Sequence, residues 1–258
     1  MALRRFRLRA HARPPTGPLL HLHIPKTGGT TVFDAIAARL GGGNFWQVTG
    51  ETLSAELIAH RARTLQLIGG HLTWAAVEAM PEPPRVLTVI RDPIERALSV
   101  YGYFRENRDA GIFDSSSSPL AEEAASNSID DLILNPRSAF RWAVGPLNVG
   151  YLSTTGTFRF EGEFVDSALE IALANLDRCW WIATTATLER DMATLWKQLD
   201  WTPPDRIPHH NPTRQRMTRS DLSAVALAEL ERAVAADLVL YERAQQLAES
   251  RFHAAQAR

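Results

Sequence analysis

Short apolar runs alternate along this chain with longer stretches of helical period. The first run, residues 19–24 (LLHLHI), reads as a buried strand that Pro25 ends. A turn over 26–31 leads into a helix over 32–40, which Gly41-Gly42-Gly43 stops. Residues 54–63 read as a second helix, and 65–68 as a strand running into Gly69-Gly70-His71. Thr73 is placed to cap a short helix through Met80. Arg85–Ile90 (RVLTVI) is apolar on both alternating faces after its first residue, the pattern of a strand covered on each side. Arg91-Asp92-Pro93 turns the chain into a helix over 94–105. Residues 109–128, rich in Ser, Ala and acid, read as a loop or mobile insertion, followed by a helix over 129–134. A helix over 168–177, a strand over 179–184, a helix over 189–199, an extended proline-containing loop over 201–219 and a long closing helix over 222–249 complete the chain. Strands alternating with helices predict an α/β fold, a parallel sheet flanked by helices, in one domain over 19–258. Such sheets bind ligands beyond the carboxyl ends of their strands.

Composition narrows the function. A formal net charge of -1 over 258 residues gives no global field that would select nucleic acid. Arg4, Arg5, Arg7, Arg9 and Arg13 all precede the first acidic residue, Asp34, so residues 1–18 read as a basic disordered tail. No apolar run of signal length follows it, and no stretch approaches the ~20 apolar residues of a membrane span. The single cysteine, Cys179, has no internal partner, which fits a reducing, cytoplasmic location. Of 28 basic residues only Lys26 and Lys197 are lysines. A lysine inside a glycine turn of so arginine-rich a chain points to a need for a compact ammonium.

That lysine lies in His23-Ile24-Pro25-Lys26-Thr27-Gly28-Gly29-Thr30-Thr31, between the first strand and the first helix. Gly28 and Gly29 let backbone approach a ligand, the amides of 26–31 can converge on phosphate oxygens, and the helix dipole adds positive potential. The nucleoside-triphosphate loop, G-x-x-x-x-G-K-[ST], places its lysine after the glycines and a hydroxyl on Mg²⁺. Here Lys26 precedes them, and no Ser or Thr stands at the Mg²⁺ position after a Gly-Lys pair. A second anion site is indicated by Arg91, at the carboxyl end of the next long strand, with Ser99 further along the helix that Pro93 opens. His71, after the intervening strand, is the candidate base for a hydroxyl proton. His21 and His23 share one face of the first strand and are read as packing groups, as are Arg96 and Tyr101. The plainer alternatives are a solvated Lys26, an Arg91–Asp92 ion pair and a His71 that only caps a strand end.

Pro25-Lys26-Thr27-Gly28-Gly29-Thr30-Thr31 after an apolar strand resembles the 5′-phosphosulfate loop of sulfotransferases that use 3′-phosphoadenosine 5′-phosphosulfate (PAPS). Within that family the spelling is similar to the branch containing heparan sulfate 2-O- and 6-O-sulfotransferases. The resemblance implies a sulfotransferase fold and transfer of a sulfuryl group to an acceptor hydroxyl, expected on a glycan, releasing 3′,5′-adenosine bisphosphate. It assigns Lys26, Thr27, Gly28, Gly29, Thr30 and Thr31 to the 5′ end of the nucleotide, Arg91 and Ser99 to its 3′-phosphate, Lys26 to catalysis, and His71, three residues before Trp74, to the base. Weaker matches are Asn148-Val149-Gly150-Tyr151-Leu152, Thr187-Leu188-Glu189, the His209–Thr213 loop, and residues 237–244. An Arg-Lys-Gly closing motif is absent; Arg214 and Arg216 stand where its charge would be needed. No metal site is expected. Residues 105–160 are expected to shape the acceptor site. There Arg105, Arg108, Arg137, Arg141 and Arg159 read equally as an attractor of acidic glycan or a solvated surface, and Trp142 as a sugar platform or a core residue. A non-catalytic PAPS- or phosphate-binding module is the alternative, and a nucleotide kinase a more distant one.

Overall fold

The apolar run at Leu19–Leu22 forms the middle strand of a five-stranded sheet in which every neighbouring pair is parallel. The structure, a computed structural model, describes residues 17–48, 54–113, 118–153, 163–204 and 217–257. In chain order the elements begin β1 (Leu19–Leu22), α1 (Gly29–Leu40), β2 (Phe45–Val48), α2 (Ala55–Ala62), β3 (Leu67–Gly70), α3 (Ala75–Glu78), β4 (Arg85–Ile90) and α4 (Pro93–Asp109). They continue as α5 (Pro119–Ser126), α6 (Ile129–Leu134), α7 (Phe140–Val144), α8 (Leu147–Leu152), α9 (Glu163–Arg178), β5 (Trp181–Thr184), α10 (Leu188–Leu199), α11 (Ala224–Ala233) and α12 (Ala235–Gln256). The strand order is β2-β3-β1-β4-β5, so the predicted α/β architecture with a helix-flanked parallel sheet is present.

Period-two alternation in the strands divides the interior into two layers. Leu19, Leu67, Leu87, Val89 and Trp181 pack on one face, against Phe33 and Ile36 of α1 and Met192 and Leu195 of α10. Leu20, Leu22, Ile68, Val86 and Ile182 pack on the other, against Ala172 and Leu176 of α9 and Leu240 and Ala244 of α12. Gly69 is required for this packing, because a Cβ there would lie 2.6 Å from the Phe33 ring. A third cluster joins α4 to α5, α6, α7 and α11 through Leu98, Tyr101, Ala124, Ile133, Phe140 and Leu230.

Several elements differ from the sequence expectation. The acidic, serine-rich stretch contains α5: Ser118 accepts from the Ala121 amide, Pro119 opens the helix, and Ala121 and Ala124 are buried. β2 was not foreseen, because Phe45–Val48 lies at the sheet edge and only Val48 of its four side chains is buried. Thr73 does not cap α3 with its side chain; Trp74 occupies the cap position. The closing helix is two helices, broken at Val234, whose backbone (φ -109, ψ 17) leaves the helical region. The expected basic tail lies almost wholly outside the described residues, as do Arg159, His209–Thr213, Arg214 and Arg216. Among the described residues no helix is long and apolar enough to cross a membrane.

Candidate functional site

Parallel pairing brings the carboxyl ends of β1, β3, β4 and β5 to one edge: Leu22 is in register with Gly70 and Thr88, and Ile90 with Thr184. The turns after these strands carry Lys26, His71, Arg91 and Thr185, so the structure brings the first three sequence candidates together at one sheet edge.

The turn after β1 is built for close approach. Lys26 and Gly28 are both left-handed, at φ 66 and 89. The conformation costs a non-glycine residue about 1–2 kcal/mol, and the Arg91 guanidinium helps to hold it by donating to the Lys26 carbonyl at 3.2 Å. A Cβ on Gly29 would fall 2.2 Å from the His23 ring, so loop and imidazole meet only because Gly29 has no side chain. Gly28 caps α1 without a side-chain hydrogen bond, and no acidic residue follows in the first turn. The first-turn amides of α1 have no intrahelical acceptor, and with no side chain capping them they face the position an anion would take.

The Thr27 side chain turns inward: it is fully buried, and its hydroxyl donates to the Ile24 carbonyl at 2.8 Å, so it braces the turn. Thr30, half-buried, and Thr31, nearly buried, lie in the first turn of α1. Lys26 extends to α4, where its Nζ lies 4.0 Å from the centroid of the Tyr103 ring. Burial, then the Arg91 charge, lowers the Lys26 ammonium to about 8, while Glu106 opposes them. It therefore remains protonated at neutral pH.

Arg91 leaves β4 beside this turn and forms a 3.4 Å contact with Glu95, one turn into α4. The anticipated partner, Asp92, does other work. It accepts the Ile94 and Glu95 amides at 2.9 and 3.0 Å and pairs with Arg219 at 2.7 Å. Since α4 is already capped by its own carboxylate, an anion near Arg91 must be held by side chains. Glu95, Ser99, Tyr103 and Glu106 follow at i, i+4, i+8 and i+11 along α4 and are half-buried on one face, so Ser99 lies between the groups that touch Arg91 and Lys26.

The three histidines form a column from the core to the surface. His21 is fully buried and neither ring nitrogen has a partner among the described residues; its ring stacks on His23 at 5.5 Å. His23 meets His71 at 4.8 Å. Burial first, then neighbouring charge, pushes His21 far down and His23 to about 3, so both are neutral packing groups. His71 is exposed, and its Nδ1 lies 2.8 Å from the His23 carbonyl. A carbonyl only accepts, so Nδ1 carries a proton, and in the neutral ring the lone pair is then on Nε2, the tautomer a general base needs. Trp74 is buried and serves packing, with the Arg178 guanidinium 5.1 Å from its ring.

Three contacts were not expected from sequence. Thr185, after β5, donates to the Thr27 carbonyl at 2.7 Å. The Asn148 amide donates to the Arg91 carbonyl at 3.4 Å. Asp237, fully buried and raised by burial to about 6, accepts the Asn148 and Val149 amides at 3.0 and 2.8 Å, opposite the charge of Arg96. Arg96 is itself buried and donates to the Ala143 and Gly145 carbonyls, the structural role read for it; Tyr101 is likewise core. Of the arginines considered for an acidic acceptor, Arg108 pairs with Glu122 and Arg141 with Glu229. Trp142 is 61% exposed and is not a core residue. Among the described residues no cluster of metal-ligating side chains is present. No family model matches the chain, and no curated protein matches it.

Proposed function

We propose that the chain is a PAPS-dependent sulfotransferase with the sulfotransferase variant of the α/β phosphate-loop fold, acting on an acceptor hydroxyl, with a carbohydrate as the preferred acceptor class. The observation that carries this reading is the placement of two unlike sets of donors after adjacent strands: a helix terminus without a side-chain cap beside Lys26 after β1, and Arg91 with Ser99 on the turn and helix after β4. A nucleotide with phosphate at both its 3′ and 5′ ends needs two such sites. PAPS supplies the sulfuryl group and, as leaving group, the 5′-phosphate of adenosine bisphosphate.

The residues divide the work as follows. Nε2 of His71 takes the acceptor hydroxyl proton. Lys26 and the first-turn amides of α1 stabilise charge on the departing phosphate oxygen in fixed positions. Arg91 and Ser99 hold the far end of the nucleotide, so that binding sets the attack geometry. The kinase reading is disfavoured by Thr27: it directly follows Lys26, yet its hydroxyl is buried on the Ile24 carbonyl rather than open to a metal.

The test is transfer of radiolabelled sulfate from PAPS to a panel of hydroxyl acceptors, with wild type, Lys26→Ala and His71→Ala compared. Transfer that is lost in both variants supports the reading. Undiminished turnover in His71→Ala removes it as base, and undiminished turnover in Lys26→Ala removes the leaving-group role. A wild-type protein that binds PAPS without transferring sulfate to any acceptor favours the non-catalytic module.

A further inference from the structure

The lysine of the phosphate loop does not project freely into the site. Its ammonium sits over the face of Tyr103, and Glu106, one turn further along the same face of α4, carries a charge that favours the ammonium against burial and Arg91. His23, at the end of β1, is near enough for the ammonium charge to disfavour its protonation, and it stays neutral. Tyr103 is itself braced edge-on by Phe104 at 5.4 Å and by Phe113 at 6.0 Å, so the ring presented to Lys26 is set by an aromatic cluster. A flexible four-carbon stem needs such a guide if its charge is to meet one particular oxygen.

We propose that Tyr103 and Glu106 are positioning residues for Lys26: the tyrosine face and the carboxylate hold the ammonium protonated and aimed along α4 above the phosphate loop. This rests on the reading of that loop as the site of the departing phosphate. Burial and Arg91 lower the proton affinity of Nζ, and Glu106 limits the fall. The ammonium thus keeps its charge at neutral pH. Tyr103 contributes through its ring face rather than its hydroxyl.

The chain has only two lysines, so each can be followed separately. Trace acetylation of the full-length protein across pH, read by mass spectrometry, reports the titration midpoint of Lys26 without any need for turnover. Lys197, on α10, is the internal reference. Glu106→Gln is expected to lower the Lys26 midpoint by about one pH unit. Tyr103→Leu is expected to lower it by about half a unit, and Tyr103→Phe, which keeps the ring, to leave it in place. Lys197 should not respond to any of the three. A Lys26 midpoint that stays within about 0.2 units of wild type in both Glu106→Gln and Tyr103→Leu overturns the proposal, since shifts of that size fall well below an interacting neighbour's effect. The outcome is separable from the fate of the proposed reaction. Midpoints that move as expected in a protein that fails to bind adenosine bisphosphate would retain the positioning and sink the transferase reading; binding and transfer with unmoved midpoints would do the reverse.

Discussion

Replacing His23 with Phe should flatten the acid sensitivity of this fold by a defined amount. In the folded chain burial holds His23 near 3, well below the ordinary 6.5. A group depressed in this way stabilises the fold fully above 6.5 and loses that contribution progressively as pH falls towards 3. At pH 5 the unfolded chain has taken up the proton and the folded chain has not. Relative to pH 7.5 the difference is about 2 kcal/mol for His23 alone, at about 1.4 kcal/mol per pH unit below 6.5. The figure requires only that the folded value lie well below 5. His21 acts in the same direction. Asp237 opposes them: raised to about 6, it is protonated first in the folded state and adds stability as pH falls from about 6 towards 3.8. The Asp237 effect cancels when wild type is compared with His23→Phe, and most of the His21 effect does too, because burial is its largest cause; the variant keeps a ring between His21 and His71. Urea unfolding of the two proteins at pH 7.5 and 5.0 is the assay. Wild type should lose about 2 kcal/mol more than the variant between the two conditions. Equal losses, to within about 0.5 kcal/mol, would show that His23 is not held neutral by the fold.

Gly29→Ala should destabilise the protein by about 1–3 kcal/mol, because its Cβ has no room beside the His23 ring, and adding His23→Ala should restore most of the loss in thermal unfolding. Lys26→Ala should reduce turnover about 10²–10³-fold while changing adenosine bisphosphate affinity only a few-fold, as steady-state kinetics and calorimetry would show. His71→Ala should abolish transfer with bisphosphate binding intact. Asp237→Ala should cost about 3–5 kcal/mol in urea unfolding, since it leaves Arg96 buried opposite no charge and strips two amides of α8 of their acceptor.

The sequence was most informative where one signal dominated. Arg85–Ile90 is apolar on both faces and appears as β4 with the expected ends; residues 129–134 behave likewise because Ser128 and Asp131 form a capping box. The turn after β1 was legible because Pro25, Gly28 and Gly29 punctuate the chain there, and the two-residue spacing of His21 and His23 correctly placed both rings on one side, where they stack. Other features depended on partners distant in the chain. FWQV at 45–48 becomes a strand only because β3 offers it an edge. The helical pattern runs unbroken through Val234, so the break there is invisible in periodicity. Ser118 was read as part of a loop although it begins a helix, since the same residue suits both. Tyr103 and Thr185 reach the site by tertiary approach alone, and the inward turn of the Thr27 hydroxyl is a rotamer choice no spacing announces.

In the proposed function, Lys26 with the start of α1 and Arg91 with Ser99 receive the two ends of one nucleotide. Calorimetry of the purified protein without metal, titrated with 3′,5′-adenosine bisphosphate, ATP and AMP, tests it most directly. Tight binding that favours the bisphosphate over both, and that loses this preference in Arg91→Ala, is the expected result. Equal affinity for the three ligands, or a bisphosphate affinity unchanged in Arg91→Ala, would contradict it.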